Sequence, residues 1–349
     1  MQDYPKITNQ RILVTGGAGF IGSNLVEYFL PGNQVVCLDN LSTGFYRNIE
    51  GYIENPNFTF IEGDIRDLEI CHKAARGCDY VFQQAALGSV PRSINDPVAT
   101  NATNIDGFLN MLVAAKEAKV KRFIYAASSS TYGDSAALPK VEHRIGRPLS
   151  PYAVTKYVNE LYAHVFTQLY GLETIGLRYF NVFGKRQSPN GAYAAVIPLW
   201  VKLLLDHERP VINGDGTYSR DFTYVDNVVQ ANEKAALVPW ETVRQRSSLY
   251  RDKFNLEKEP DQVFNIAFGG TTTLNELFYA LRDNLAKFDG QVLPIMPVYG
   301  PNRAGDIPHS HASIEKATAI LEYKPEVDTR KGFGLVVDWY YANYGKTIK

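Results

Sequence analysis

The 349-residue chain is poor in sulfur and in histidine, with three cysteines, three methionines and six histidines. Three cysteines are an odd set, and Cys37, Cys71 and Cys78 show no CxxC spacing, which argues against a disulfide scaffold or a thiolate metal site. They read as small buried thiols in a reducing compartment. His309 and His311 stand close together but flank a serine, with no cysteine or carboxylate cluster beside them, so no metal is expected. An excess of one charge is also missing. Lys and Arg number 36 against 37 Asp and Glu, for a net charge of −1, which gives no global reason to bind nucleic acid or an anionic membrane. Any anionic ligand must be held by a local site. No apolar run approaches the length that spans a bilayer. The opening MQDYPKITNQ lacks the apolar core of an export signal, and a cytoplasmic protein is expected. No internal repeat or low-complexity segment stands out.

What the chain does contain is 45% hydrophobic residues, enough for one large α/β domain or two intimately packed ones. The apolar runs RILVTG (11–16), QVVCLD (34–39), FTFIEGD (58–64), YVFQQAA (80–86), RFIYAAS (122–128) and ETIGLRYFN (173–181) alternate with helical patterns, notably 98–119 and 151–170. Continuous apolar strands separated by helices predict a doubly wound parallel sheet covered on both faces. PVING (210–214) and VFNIAFG (263–269) suggest a smaller second sheet or late additions to the first. The polar stretch 241–261 reads as a surface insertion or an exposed helix end.

TGGAGFIG sets Gly16, Gly19 and Gly22 between the first strand and the first helix. Glycines there let the chain turn tightly, approach a pyrophosphate and pack helix on strand, while the helix N-terminus offers N–H groups to phosphate. Asp39 ends the second strand. Its carboxylate can accept hydrogen bonds from an adenosine ribose, and its charge opposes a 2′-phosphate, so NAD is favoured over NADP. Asp64 and Ile65, after the third strand, would border the adenine. In SPYAVTK, Tyr152 and Lys156 stand four apart on one helix face, behind the Ser150-Pro151 start signal. A phenol of pKa ~10 must be lowered to serve as a base near neutrality. Lys156 and the positive nicotinamide ring would each favour the phenolate.

Ser128 precedes Tyr152 by 24 residues, at the end of the strand RFIYAAS. Together with GGAGFIG, RYFNVFG (178–184), NGDGTYSRDF (213–222) and RAGD (303–306), in that order, these residues resemble the extended short-chain dehydrogenase/reductase family of nucleotide-sugar enzymes. The resemblance covers nearly the whole chain. It implies a Rossmann-type NAD domain over 1–182 plus about 221–268, and a smaller UDP-sugar domain over about 183–220 plus 269–349. It implies Ser128, Tyr152 and Lys156 as catalytic residues. NAD contacts would extend from the glycine turn with Phe20 and Ile21 to Asn40, Ser42, Thr43 and Gly44, to Gln84 and Ala86, and to Thr103, Tyr179 and Val182. Helices at about 98–119 and 151–170 resemble the pair through which the family forms homodimers.

Sugar 4,6-dehydratases resemble the segment after Ser128 but carry an Asp-Glu pair where this chain has Ser129 and Ser130, and the related UDP-glucuronate decarboxylases usually keep the Glu. Serines cannot supply a carboxylate acid or base, so elimination is disfavoured and C4 epimerisation through a transient ketone remains. Ser129 and Ser130 would then contact the sugar. Arg220 and Arg303 align with family arginines that grip the UDP diphosphate with planar forks of donors. Asn181 would contact sugar or diphosphate, Ala195, Val196, Ile212 and Asn213 would border the uridine, and Asp306 would reach the ribose. Ser89 and Arg92, in the loop GSVPRS, face the same crevice in this architecture. Ser310 lies at the sugar-pocket wall, where epimerases restricted to UDP-glucose and UDP-galactose carry a bulky Tyr. The room it leaves suits an N-acetyl group. The resemblance thus implies a UDP-N-acetylglucosamine 4-epimerase serving polysaccharide biosynthesis. The corresponding uronic acids stay open as substrates, as does UDP-glucose as a secondary one.

Overall fold

The computed structural model describes residues 6–190, 194–257, 262–302 and 307–345. Its first half alternates strand and helix: β1 (Arg11–Thr15), α1 (Phe20–Phe29), β2 (Gln34–Asp39), β3 (Phe58–Glu62), α2 (Leu68–Ala75) and β4 (Tyr80–Gln83). The short α3 (Val90–Asn95) and α4 (Pro97–Asn101) lead through a π turn at Ala102–Asp106 into α5 (Gly107–Glu117), β5 (Arg122–Ser128), α6 (Pro151–Tyr170) and β6 (Thr174–Tyr179). The remainder runs β7 (Val182–Phe183), α7 (Val196–Leu205), β8 (Val211–Asn213), β9 (Ser219–Arg220), β10 (Thr223–Tyr224), α8 (Val225–Leu237) and α9 (Trp240–Phe254). It closes with β11 (Val263–Ile266), β12 (Thr272–Thr273), α10 (Leu274–Leu285), β13 (Val298–Gly300), β14 (His309–Ser310), α11 (Glu315–Leu321) and α12 (Thr329–Tyr344).

Seven strands form one sheet in the order β3-β2-β1-β4-β5-β6-β11, and every pairing in it is parallel. It is the doubly wound Rossmann-type α/β sheet that the alternation of apolar runs predicts. VFNIAFG joins it as the edge strand β11, whereas PVING pairs with β13 in a separate two-stranded ladder. One face packs Val14, Phe82, Ile124 and Leu177 against Leu25 and Phe29 of α1 and Val228 and Ala231 of α8. The other packs Leu13, Val36, Val81 and Phe123 against Met111 and Leu112 of α5 and Ala163 and Phe166 of α6. Each of the larger side chains, Val, Leu, Ile, Met or Phe, contributes about 1.5–3 kcal/mol on leaving water, which is why strands buried on both faces carry no polar alternation. Phe29 stacks on Phe82 with centroids 4.7 Å apart, so Phe82→Ala would cost about 3–5 kcal/mol.

A separate core joins α7, α10 and α12 through Trp200, Leu204, Phe278, Leu281 and Phe333. It draws in Phe222, Tyr224 and Val225, from a stretch assigned by sequence to the NAD domain. The polar stretch 241–261 is mostly helix α9, with Val243, Ser247 and Tyr250 turned inward. Its charged residues mask that apolar face. The expected helix at 98–119 is interrupted by the π turn, and Asn104 within that turn is buried. The three cysteines are buried and unbridged, and burial pushes Cys71 up to about 12 and Cys78 up to about 11. Among the described residues no helix is long and apolar enough to cross a membrane.

Candidate active site

A cleft of about 710 Å³ opens at the carboxyl ends of the strands, at the reversal of strand order between β1 and β4 where such sheets bind ligands. The turn after β1 builds one wall. Gly16 has φ +65°, and a Cβ on it would stand 2.8 Å from the Ala85 Cα. A Cβ on Gly22 would reach 2.1 Å from the Gly16 carbonyl oxygen. Side chains are excluded at both positions. Gly19 is the N-cap of α1 and supplies no side-chain cap, so the first-turn amides of Phe20, Ile21 and Gly22 have no intrahelical acceptor.

Asp39 is buried, accepting from the amides of Ala18 at 2.9 Å and Leu41 at 2.8 Å. Burial raises its carboxyl above the usual range although these amides act the other way. Beside it, a Cβ on Gly44 would come within 3.0 Å of the carboxylate oxygens, so this glycine makes room for Asp39 and does not line the cleft. Asn40, Ser42, Thr43, Asp64 and Ile65 do line it. Asp64 is held down to about 2, chiefly by hydrogen bonding from Arg66, with Asn40 Nδ2 donating at 2.8 Å. Across the cleft stand Gln84, Ala86, Thr103, Tyr179 and Val182. Gln84 Oε1 accepts from the Tyr179 hydroxyl at 3.3 Å, while its Nε2 is buried without a partner. A buried orphan donor, a side-chain-free turn and an open helix N-terminus fit the ribose-phosphate-ribose outline of a dinucleotide.

The far end of the cleft is built on β5 and α6. Ser150 caps α6, its hydroxyl accepting from the Ala153 amide at 3.1 Å, and Pro151 presets the first turn. Tyr152 and Lys156 therefore share one helix face over the end of β5. Lys156 Nζ donates to the Ala126 carbonyl at 2.8 Å and lies 6.0 Å from the Tyr152 ring centroid. Burial pulls this ammonium down to about 8, Glu160 acting in the opposite direction. The phenol of Tyr152 is not lowered in the protein alone. Burial raises it, and only the hydrogen bond from Ser128 opposes that rise. The Lys156 ammonium sits on a main-chain carbonyl and does not enter that balance. Below, Arg178 on β6 forks onto Glu160 of α6 at 2.8 and 2.7 Å and locks helix to sheet.

Ser128 Oγ accepts from both the amide and the hydroxyl of Ser130, at 3.1 and 2.9 Å. A hydroxyl has two lone pairs and one hydrogen, so these two donors leave the Ser128 hydrogen for Tyr152. Ser129 lines the cleft, whereas Ser130 does not: its hydroxyl is spent on Ser128 and is not turned toward a sugar.

The expected sugar-nucleotide residues divide. Ser89, Arg92, Asn181 and Ala195 line the cleft. Val196, Asn213, Arg220 and Ser310 do not, and Ile212 is fully buried in the second core, so its side chain cannot border a uridine. Arg220 and Ser310 are register partners on adjacent strands. Arg303 and Asp306 lie outside the described residues. The sequence reading missed Phe45, whose amide donates to the Ala18 carbonyl at 3.0 Å, and the wall formed by Gln187, Ser188 and Asn190. That wall is anchored from both sides: Asn24 Nδ2 of α1 donates to the Lys185 carbonyl at 3.2 Å, and the Tyr340 hydroxyl of α12 donates to the Gln187 carbonyl.

Residues 12–246 match the NAD dependent epimerase/dehydratase family. The chain belongs to that family. It is 36% identical over 335 residues to a putative UDP-glucose 4-epimerase of Methanocaldococcus jannaschii, covering 95% of this chain and 99% of the relative. Among solved structures, the UDP-N-acetylglucosamine 4-epimerase of Methanobrevibacter ruminantium M1, in complex with UDP-N-acetylmuramic acid, is 37% identical with a TM-score of 0.85. That match covers 97% of this chain and 100% of the other. The UDP-glucuronic acid 4-epimerase of Bacillus cereus, in complex with UDP-glucuronic acid and NAD, is 28% identical with a TM-score of 0.77, over 96% of this chain and 100% of that one. The cofactor of this family member is NAD.

Proposed function

We propose that this family member is a C4 epimerase interconverting UDP-N-acetylglucosamine and UDP-N-acetylgalactosamine through a transient 4-keto sugar. One observation carries the reaction type. Ser128, Tyr152 and Lys156 meet at one end of the cleft, while the carboxylates among its described lining residues, Asp39 and Asp64, belong to the adenosine end. A single acid/base suffices for oxidation and return at one carbon, whereas elimination needs a second at the sugar. Bound NAD supplies the reversible two-electron acceptor for the C4 hydrogen. Tyr152 Oη takes the proton of the 4-hydroxyl, Ser128 aligns that hydroxyl once its hydrogen has turned from Tyr152 to the 4-oxygen, and Lys156 holds the nicotinamide ribose. After the ketone has turned in the site, C4 takes its hydride back on the opposite face and Tyr152 returns the proton to the 4-oxygen.

The acetylated substrate is supported by the likeness to a UDP-N-acetylglucosamine 4-epimerase. Ser310 on β14, the register partner of Arg220, stands outside the described cleft lining and would supply the wall that the N-acetyl group meets. Arg220 and Arg303 would hold the diphosphate, with Asn181, Ser89, Arg92 and Asp306 completing the polar grip. A homodimer is part of the proposal. On α6, Val154, Leu161, Val165 and Leu169 form an exposed apolar stripe, with Leu169 70% exposed, and Val98 on α4 is 78% exposed; apolar stripes of this kind mark interfaces. Incubation with UDP-N-acetylglucosamine, UDP-glucose and UDP-glucuronic acid separately, without added reductant, tests the reading. UDP-N-acetylgalactosamine should form fastest. Inert UDP-N-acetylglucosamine beside a converted uronate, or a stoichiometric demand for NAD(P)H, would overturn it.

A further inference from the structure

Asp221 follows Arg220 and is only 1% exposed. Its Oδ1 accepts from the amides of Phe268 at 3.2 Å and Gly269 at 3.3 Å, and its Oδ2 from Gly269 at 3.2 Å and Ala312 at 3.3 Å. The main chain of the same residue reaches two more segments. Its amide donates to the Ser310 carbonyl at 2.9 Å, and its carbonyl accepts from Asn181 Nδ2 at 3.1 Å. Asn181 stands on the cleft wall with φ +34°, a conformation that a non-glycine residue keeps only when its surroundings hold it. One residue thus fastens Asn181, β9, β14 and the loop after β11 to one another.

Among the described residues no ion pair reaches Asp221, and burial pushes its carboxyl up to about 6. A buried carboxylate met by amides alone, without a cation, is a poor stabilising device. Its geometric effect is what the site uses. We propose that Asp221 is the positioning residue of the sugar-nucleotide half of the site, its carboxylate gathering the 268–269 and 312 amides while its main chain sets Asn181 and Ser310. This rests on the reading that those residues receive a UDP-sugar. No hydrogen bond from Asp221 runs to Ser128, Tyr152, Lys156 or the glycine turn, so its loss should loosen substrate binding and leave the chemical step and the cofactor in place.

The test is Asp221→Asn in the full chain. The amide keeps the size but turns an NH2 group toward amide donors. KM for UDP-N-acetylglucosamine should rise about tenfold or more, with kcat within about threefold and NAD content unchanged. A KM within about twofold of wild type overturns the proposal, as does a fall in kcat at constant KM or a loss of NAD. If the variant does not fold, hydrogen exchange of the wild type decides: peptides spanning 267–270, where no ligand contact is assigned, should slow on adding UDP-N-acetylglucosamine, and unchanged exchange overturns the proposal. The two readings fail separately. A wild type that converts no UDP-sugar refutes the epimerase assignment, whereas an active wild type with an unaltered variant KM refutes Asp221 alone.

Discussion

Replacing Tyr152 with Phe removes one oxygen and nothing else from the proposed acid/base. The ring stays where Pro151 and the Ser150 cap, at 3.1 Å from the Ala153 amide, place the first turn of α6. Two magnitudes compete. The folded state loses the Ser128–Tyr152 hydrogen bond, about 0.5–1.5 kcal/mol. The reaction loses its positioned proton acceptor, about 10²–10⁴ in rate or about 2.7–5.4 kcal/mol of barrier. The catalytic effect therefore dominates, and the variant should be folded, loaded and nearly inactive. Lys156 keeps its bond to the Ala126 carbonyl, so the cofactor side of the site is undisturbed. The assay is formation of UDP-N-acetylgalactosamine from UDP-N-acetylglucosamine by purified wild type and variant, with NAD extracted from each and quantified. Activity within about threefold of wild type, at equal NAD content, would refute the assignment of Tyr152.

Denatured protein should release NAD(H) with little NADP(H), because the buried Asp39 faces the adenosine end and Asn40 and Leu41 follow it without a cation; a predominance of NADP(H) in the extract would contradict this. Ser130→Ala should lower kcat by about threefold to tenfold, since it frees one of the two lone pairs that fix the Ser128 hydroxyl, while Ser129→Ala should leave the Ser128–Tyr152 geometry intact; steady-state kinetics of both variants separate them. Ser310→Tyr should suppress turnover of acetylated sugars and spare UDP-glucose and UDP-galactose, overpacking costing about 1–3 kcal/mol; unchanged kcat/KM for UDP-N-acetylglucosamine would place the gate elsewhere. Asp221, raised from 3.8 to about 6, binds its proton more tightly folded than unfolded, so its stabilising contribution is full below about pH 4 and is lost as pH rises through 6. That contribution is about 1.4 kcal/mol greater at pH 5 than at pH 7.5, so Asp221→Asn should gain about that much relative to wild type between those pH values in urea unfolding.

The sheet was legible because strands buried on both faces must be apolar throughout, and Ile12, Val36, Val81, Phe123 and Ile175 leave that mark in the sequence. The glycine turn was legible for a similar reason: a Cβ at Gly16 or Gly22 collides with main-chain atoms, so the backbone path dictates the residue. What escaped is built by side chains whose partners are remote. Gln187 and Ser188 reach the cleft because Asn24 and Tyr340, far away in sequence, hold the chain there, and irregular backbone has no period that could announce it. Ile212 shows the converse, since a motif match fixed its neighbourhood while burial in the second core turned its side chain away. Ser128, Ser129 and Ser130 show where composition stops being informative. Three identical hydroxyls read alike in the sequence, yet one faces Tyr152, one faces the cleft, and one turns back onto the first. The turn Ser129–Tyr132 creates that difference: Ser128 caps it and accepts from the Ser130 amide, which brings the Ser130 hydroxyl to the same oxygen. The absence of carboxylates at 129 and 130 therefore does two things. It removes the groups an elimination would need, and it frees position 130 to orient the serine that the proposed epimerisation uses.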